Sequence, residues 1–125
     1  MNWMRIAAVV GFTGVTLGAF GAHGLESVLS VGERSEWWGT AVDYHMWHAL
    51  ALLGVGWMVE RTGRGAAAGW CFLLGVTVFS GTLYGLGLGG PRWLGAITPL
   101  GGVLLLAGWA SLGIATRGAG KYAEA

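Results

Sequence analysis

The chain has 125 residues, of which 54% are hydrophobic and only 10% charged, where a water-soluble domain carries about a quarter charged residues. Its 25 glycines follow no third-position repeat, which excludes collagen, and so apolar a composition excludes a flexible linker. A net charge of +1 gives no electrostatic footprint for nucleic acid, and the single cysteine, Cys71, makes neither an intramolecular disulfide nor a metal-binding spacing.

What remains is a membrane protein, and its charges divide it. In chain order the uncharged runs are 6–25, 44–59, 65–91 and 93–116. A hydrocarbon core of roughly 30 Å is crossed by about 20 helical residues. The first, third and fourth runs meet that directly, and Trp37, Trp38 and residues 40–42 extend the second. The expected architecture is all-α: an integral membrane four-helix bundle, a single domain over 1–125, with spans of about 5–25, 40–60, 66–89 and 93–116. A membrane barrel needs strict apolar/polar alternation, which a stretch such as 102–107 (Gly-Val-Leu-Leu-Leu-Ala) lacks. Between the first two spans Val28, Leu29 and Val31, followed by Trp37 and Trp38, predict a short amphipathic segment resting at headgroup depth. Gly63-Arg64-Gly65 and Gly89-Gly90-Pro91 predict tight turns, so spans two to four run as antiparallel neighbours. One competing reading is a signal peptide, with Arg5, an apolar run and small residues 18–22 as its cleavage region, which would leave three spans.

Four spans put both termini on one side. Arg5, Arg61, Arg64, Arg117 and Lys121 fall on that side, while Arg34 and Arg92 fall on the other. This bias predicts cytoplasmic termini in a plasma-membrane protein. Lipid supplies no hydrophobic drive between helices, so small residues must let them approach. Ala7, Gly11, Gly14, Gly18 and Gly21 form such a stripe on span one, Gly81, Gly85 and Gly89 on span three, and Gly101, Gly108 and Ala115 on span four. Pro99, one turn inside span four, predicts a kink.

The polar residues at membrane depth are the candidate site. His23 ends span one, His45 and His48 open span two, Ser80 and Tyr84 lie in span three and Thr98 in span four. Antiparallel helices are expected to gather these with Tyr44 and Asp43 in one outer layer. His23, Tyr44, His48, Ser80, Tyr84 and Thr98 are the candidate ligand-binding residues. The spacing of His45 and His48, with His23, also admits a metal. The readings open at this point are a hydrogen-bonded layer that fixes register, a metal site, a quinone or lipid-headgroup site, and a proton or ion path. No Gly-x-Ser-x-Gly, HExxH, CxxC or P-loop pattern occurs, so no enzyme is expected.

Four blocks in order carry a family resemblance. Residues 18–25 (Gly-Ala-Phe-Gly-Ala-His-Gly-Leu), 44–52 (Tyr-His-Met-Trp-His-Ala-Leu-Ala-Leu), 79–84 (Phe-Ser-Gly-Thr-Leu-Tyr) and 97–102 (Ile-Thr-Pro-Leu-Gly-Gly) resemble the signature of the domain of unknown function 423 family. That family takes in bacterial inner-membrane proteins and the eukaryotic transmembrane protein 256. The resemblance implies a small four-span protein of the bacterial plasma membrane and supplies no reaction. By motif position His23, Tyr44, His48, Ser80, Tyr84, Thr98 and Pro99 coincide with family pattern residues. His45 departs, standing where glutamine is expected, so a metal site built on His45 and His48 would be particular to this chain. The expectation is a non-catalytic scaffold or accessory subunit, or a binder of a lipid-like molecule. Its partners would be the lipid bilayer and a homo-oligomer or larger membrane complex. The alternatives are a redox-associated metal or quinone protein and a small oligomeric transporter.

Overall fold

The computed structural model describes residues 1–117, and every regular element among them is a helix. These are α1 (Trp3–His23), α2 (Glu26–Leu29), α3 (Arg34–Thr62), α4 (Ala66–Gly87) and α5 (Leu94–Thr116). Asn2 caps α1, its side-chain oxygen accepting the Arg5 N–H at 3.0 Å. α3 stops at Gly63, whose φ of +69° is left-handed and lets its N–H reach the Val59 carbonyl. The turn from α4 to α5 is closed by Gly90 N–H on the Gly85 carbonyl at 2.8 Å.

Among the described residues three helices are long and apolar enough to cross a membrane: α1, α4 and α5. α3 is the longest at 29 residues but is not among them. The segment expected as the span 40–60 sits inside it. The helix begins earlier, at Arg34, and its turns near either end carry Glu36, Asp43, Glu60 and Arg61 beside two mid-helix histidines, which dilutes its hydropathy.

The long helices pack in chain order, α1 on α3, α3 on α4 and α4 on α5. One buried cluster joins Trp3, Ala7 and Val10 of α1, Leu52 and Val55 of α3, Phe72 and Val76 of α4 and Leu105 of α5. A smaller one joins Ala41 to Leu83 and Leu86. Small residues stand where helices meet. A Cβ on Gly14 would come 3.2 Å from the His45 ring, one on Gly18 3.3 Å from Val42, and one on Gly11 3.8 Å from Ala49. Positions ascending α1 thus meet positions descending α3, an antiparallel pair in one register. On α5, Gly101 lies against the backbone of Phe79, and Gly108 against Phe72 and Cys71.

Two expectations need correction. The spacing of Gly81, Gly85 and Gly89 does not mark the seam of α4: Gly81 faces open space, Gly85 meets Leu94, and Gly89 meets Arg34. The close approaches on this helix are at Gly69, against the Trp3 ring, Gly75, against Leu105, Gly85, against Leu94, and Gly87, against Trp38, so of the expected stripe only Gly85 serves a helix contact of α4. A four-residue repeat fixes a face but not its direction. Nor do Val28, Leu29 and Val31 run on with Trp37 and Trp38 as one amphipathic segment ahead of the second span. The segment is the single turn α2, and both tryptophans belong to α3. Trp38 is 5% exposed because the missing side chain of Gly21 opens a slot on α1, where its indole N–H donates to the Leu17 carbonyl at 3.0 Å.

Candidate functional site

The polar residues singled out in the sequence do not form one layer. They divide between two grooves, and His23, Asp43 and Thr98 stand outside both. His23 is exposed at the last position of α1, and Asp43 is exposed on α3. Among the described residues no three His, Cys, Asp or Glu side chains converge as a metal set.

His45 lies in a groove of about 280 Å³ walled by α1 and α4, with Thr13, Ser80 and Tyr84. Its Nδ1 is 2.9 Å from the Tyr84 hydroxyl and its Nε2 is 3.3 Å from Thr13 Oγ1. The Thr13 hydroxyl is turned to the Val9 and Val10 carbonyls at 3.0 Å each, so its proton is committed to the backbone. The consistent assignment has His45 Nε2–H donating to Thr13 and Tyr84 O–H donating to Nδ1. Ser80, buried, donates to the Ala41 carbonyl at 2.8 Å and so bonds α4 to α3 one turn away.

His48 faces the other way, into a cleft of about 660 Å³ between α3 and α5 over α4. Its tautomer is fixed by its neighbours. Nδ1 sits 2.7 Å from the Tyr44 carbonyl, which only accepts, so Nδ1 carries the proton. Nε2 receives the Trp109 indole N–H at 3.2 Å, and an indole only donates. Phe72 packs against both rings, 5.5 Å from His48 and 5.0 Å from Trp109 between centroids. Both imidazoles therefore have each ring nitrogen engaged by protein.

The cleft is mostly apolar, with Phe79, Pro99, Val103 and Leu106 among its walls and Tyr44 and Trp47 at its edge. Tyr44 lies 4.4 Å from Phe79 and 5.0 Å from Trp47 between ring centroids. Within the described residues neither the Tyr44 hydroxyl nor the Trp47 indole N–H makes a hydrogen bond, and no buried side-chain N or O lacks a partner. Both groups are thus accessible from the cleft or its surroundings. Thr98 is not in either groove; it pairs with Thr82 at 2.7 Å and ties α5 to α4.

Sequence reasoning missed Trp109 and Thr13, the two partners that complete the imidazoles. Trp109 had a readable signal, since an indole N–H deep in the apolar run 103–113 must find an acceptor. Thr13 had none, because a threonine in a membrane helix satisfies itself on the preceding turn, as Thr16, Thr77 and Thr82 do here.

The comparisons with known proteins agree on one assignment. The family model described as "Protein of unknown function (DUF423)" matches residues 17–102, which include His45, Ser80 and Tyr84 of one groove and Tyr44, His48 and Phe79 of the other. A "UPF0382 membrane protein" of Staphylococcus haemolyticus is 47% identical over 112 residues, covering 89% of this chain and 91% of its own. The UPF0382 membrane protein YwdK of Bacillus subtilis is 41% identical over 113 residues, 88% of this chain and 91% of that one. A "UPF0382 membrane protein" of the fission yeast Schizosaccharomyces pombe is 37% identical over 117 residues, 90% of this chain and 98% of its own. No solved structure matches. With a family model over most of its length and relatives in bacteria and yeast aligned nearly end to end, the chain belongs to the DUF423 family of membrane proteins.

Proposed function

We propose that this protein is a non-catalytic plasma-membrane protein of four spans, with both termini in the cytoplasm, that holds a lipid-like molecule in the cleft between α3 and α5. A role as scaffold or accessory subunit for a larger membrane complex is compatible with that binding. The fourth span is α3. Midway along it Trp47, Leu50, Leu53 and Trp57 are exposed, a pattern that suits contact with acyl chains and not water. Its two histidines, which lower the hydropathy at mid-helix, are turned inward and fully bonded, so lipid does not meet them. Arg5, Arg61, Arg64 and Arg117 gather at one end of this arrangement, which supports cytoplasmic termini. Lys121, counted with them above, lies outside the described residues.

The observation that carries the binding reading is the cleft. It opens sideways between two membrane helices, is lined by aromatic and aliphatic side chains, and offers the Tyr44 hydroxyl and Trp47 N–H as donors at its edge. A long apolar molecule with one acceptor group fits that chemistry. A resident metal on His45 and His48 is the weaker alternative, because each ring nitrogen is already bonded to protein. A transporter reading has, among the described residues, His45, His48 and Ser80 as its buried polar side chains, all in the outer half of the bundle.

Native mass spectrometry of protein extracted gently from its own membranes tests the proposal. The expected result is one apolar ligand retained per chain and lost in Val103→Trp, which fills the cleft from an exposed position. Equal retention in wild type and Val103→Trp would refute the cleft as the site. A quinone in the retained fraction would name the ligand as redox-active, and stoichiometric metal would replace this reading. Reporter fusions at the C-terminus test the topology; an active cytoplasmic reporter is expected.

A further inference from the structure

The end of the molecule opposite Arg5, Arg61 and Arg64 carries two arginines, Arg34 and Arg92, and both line one hollow of about 320 Å³. Arg34 is the first residue of α3, and Arg92 lies in the turn between α4 and α5. The hollow is shaped by that turn. Gly89 adopts φ +87°, and a Cβ there would come 2.7 Å from the Arg34 guanidinium, so the backbone lies directly against the charged group. Among the described residues the guanidinium donates one hydrogen bond, to the Val28 carbonyl at 3.3 Å, out of the five its N–H groups can make.

Carboxylates are not scarce at this end. Glu26, Glu33, Glu36 and Asp43 all lie in the connection and the first turns of α3, and Glu33 itself borders the hollow. Yet among the described residues neither arginine pairs with any of them. Two cations that converge on one concavity and leave nearby acids unpaired present donors to an anion from outside the chain. The depth says which anion is always in reach. α4 ends at Gly87 and α5 begins at Leu94, so the turn between them sits where two apolar helices leave the hydrocarbon, at the level of lipid phosphates. Trp37 lines the same hollow, an aromatic suited to that interface.

We propose that Arg34 and Arg92, with the Gly89–Gly90 turn, form a cradle for the phosphate of a membrane phospholipid. Guanidinium groups suit this ligand because their planar fork matches two phosphate oxygens. An anionic headgroup such as phosphatidylglycerol is favoured over phosphatidylcholine, whose headgroup cation would stand beside the arginines. The α3–α5 cleft takes no part in this site, so the two proposals stand or fall separately.

The experiment uses the full chain, purified in detergent and delipidated, with short-chain phosphatidylglycerol or phosphatidylcholine added and bound lipid counted by native mass spectrometry. Wild type is expected to retain phosphatidylglycerol in preference to phosphatidylcholine. Arg92→Gln, at an exposed turn position, is expected to lower retention about ten-fold, the scale of one charge-assisted hydrogen bond. Arg34→Gln/Arg92→Gln is expected to abolish it, while Arg61→Gln/Arg64→Gln at the other end leaves it unchanged. Undiminished retention in the natively helical Arg92→Gln variant would overturn the proposal, as would an equal loss in Arg61→Gln/Arg64→Gln. Displacement of the lipid from wild type by millimolar inorganic phosphate would overturn the lipid as source and make a soluble phosphate the ligand.

Discussion

Two adjacent glycines on α5 should respond oppositely to the same substitution, which makes them a sharp test of how the helices meet. A Cβ on Gly101 would land on the backbone of Phe79, 2.8 Å from its Cα, whereas one on Gly102 would lie 3.8 Å from the edge of the Phe79 ring. The first contact is backbone against backbone and has no rotamer through which to relax. α4 and α5 would have to separate, loosening the nearby approach of Leu105 to Gly75. Overpacking of this kind costs roughly 1–3 kcal/mol, and a contact with so little freedom belongs at the upper end. Replacing glycine by alanine in a helix returns about 0.4–1 kcal/mol by restricting the unfolded chain. The net for Gly101→Ala is a loss of about 2 kcal/mol, roughly a thirty-fold shift in the folded-to-unfolded ratio. Gly102→Ala meets ordinary van der Waals distance and should be neutral or slightly stabilising. Gly81→Ala, with nothing within 4 Å, should behave like Gly102→Ala despite sitting in the more regular glycine repeat. Unfolding by sodium dodecyl sulfate titration in mixed micelles, followed by circular dichroism, reads all three. If Gly101→Ala unfolds at the same detergent fraction as Gly102→Ala, the close seam between α4 and α5 is wrong.

Trp109→Phe keeps the aromatic packing on Phe72 but removes the indole donor to His48 Nε2, and a loss of about 1 kcal/mol is expected in the same titration. No loss would mean that the imidazole finds another partner. Thr82→Val and Thr98→Val should each weaken the fold by about 0.6 kcal/mol, and the double variant by less than the sum, since the two hydroxyls bond each other; strict additivity would argue against the pair. Nitrogen-15 NMR of histidine-labelled protein should find the proton on Nδ1 of His48 and on Nε2 of His45. The reverse assignment at His48 would contradict the Tyr44 carbonyl and Trp109 indole contacts.

The helical class and the positions of α1, α4 and α5 were legible because charge segregation and apolar run length are properties of the chain alone. The stripe Gly11, Gly14, Gly18 on α1 was legible for a similar reason: the alternating four- and three-residue spacing tracks one helix face, and that face meets α3. Direction was not legible. Gly81, Gly85 and Gly89 satisfy the same rule on α4, yet the face they define meets open space, the next helix's first leucine and an arginine. The two tryptophans at 37 and 38 look alike in sequence, and only the slot at Gly21 makes one of them core. His45 and His48 show the same limit at the site. Three residues separate them by about 60° around α3, close enough to suggest a shared ligand. With α4 packed along that side, the angle sends one toward α1 and the other toward α5.

The bonding of those two rings bears on what the molecule can be. Helices in lipid lack the hydrophobic drive that sets register in water, so buried polar contacts and close small-residue approaches have to set it. Here side-chain hydrogen bonds join α1 to α3 through Trp38 and His45, α3 to α4 through Tyr84 and Ser80, α3 to α5 through Trp109, and α4 to α5 through Thr82 and Thr98. Most of the polar residues flagged as a candidate site thus serve as register pins, and a pinned group has little left to offer a ligand. Tyr44 is different. Its ring is held by Phe79 and Trp47, its carbonyl fixes the tautomer of His48, and among the described residues its hydroxyl has no protein partner although it stands at the cleft. A hydroxyl at the mouth of an apolar cleft in a membrane costs free energy until something accepts its proton. Water at the interface can do so, but an acceptor on a molecule already seated in the cleft does so without admitting water between α3 and α5. On the proposed reading the outer polar residues act through Tyr44, and His48 holds the cleft in shape around it.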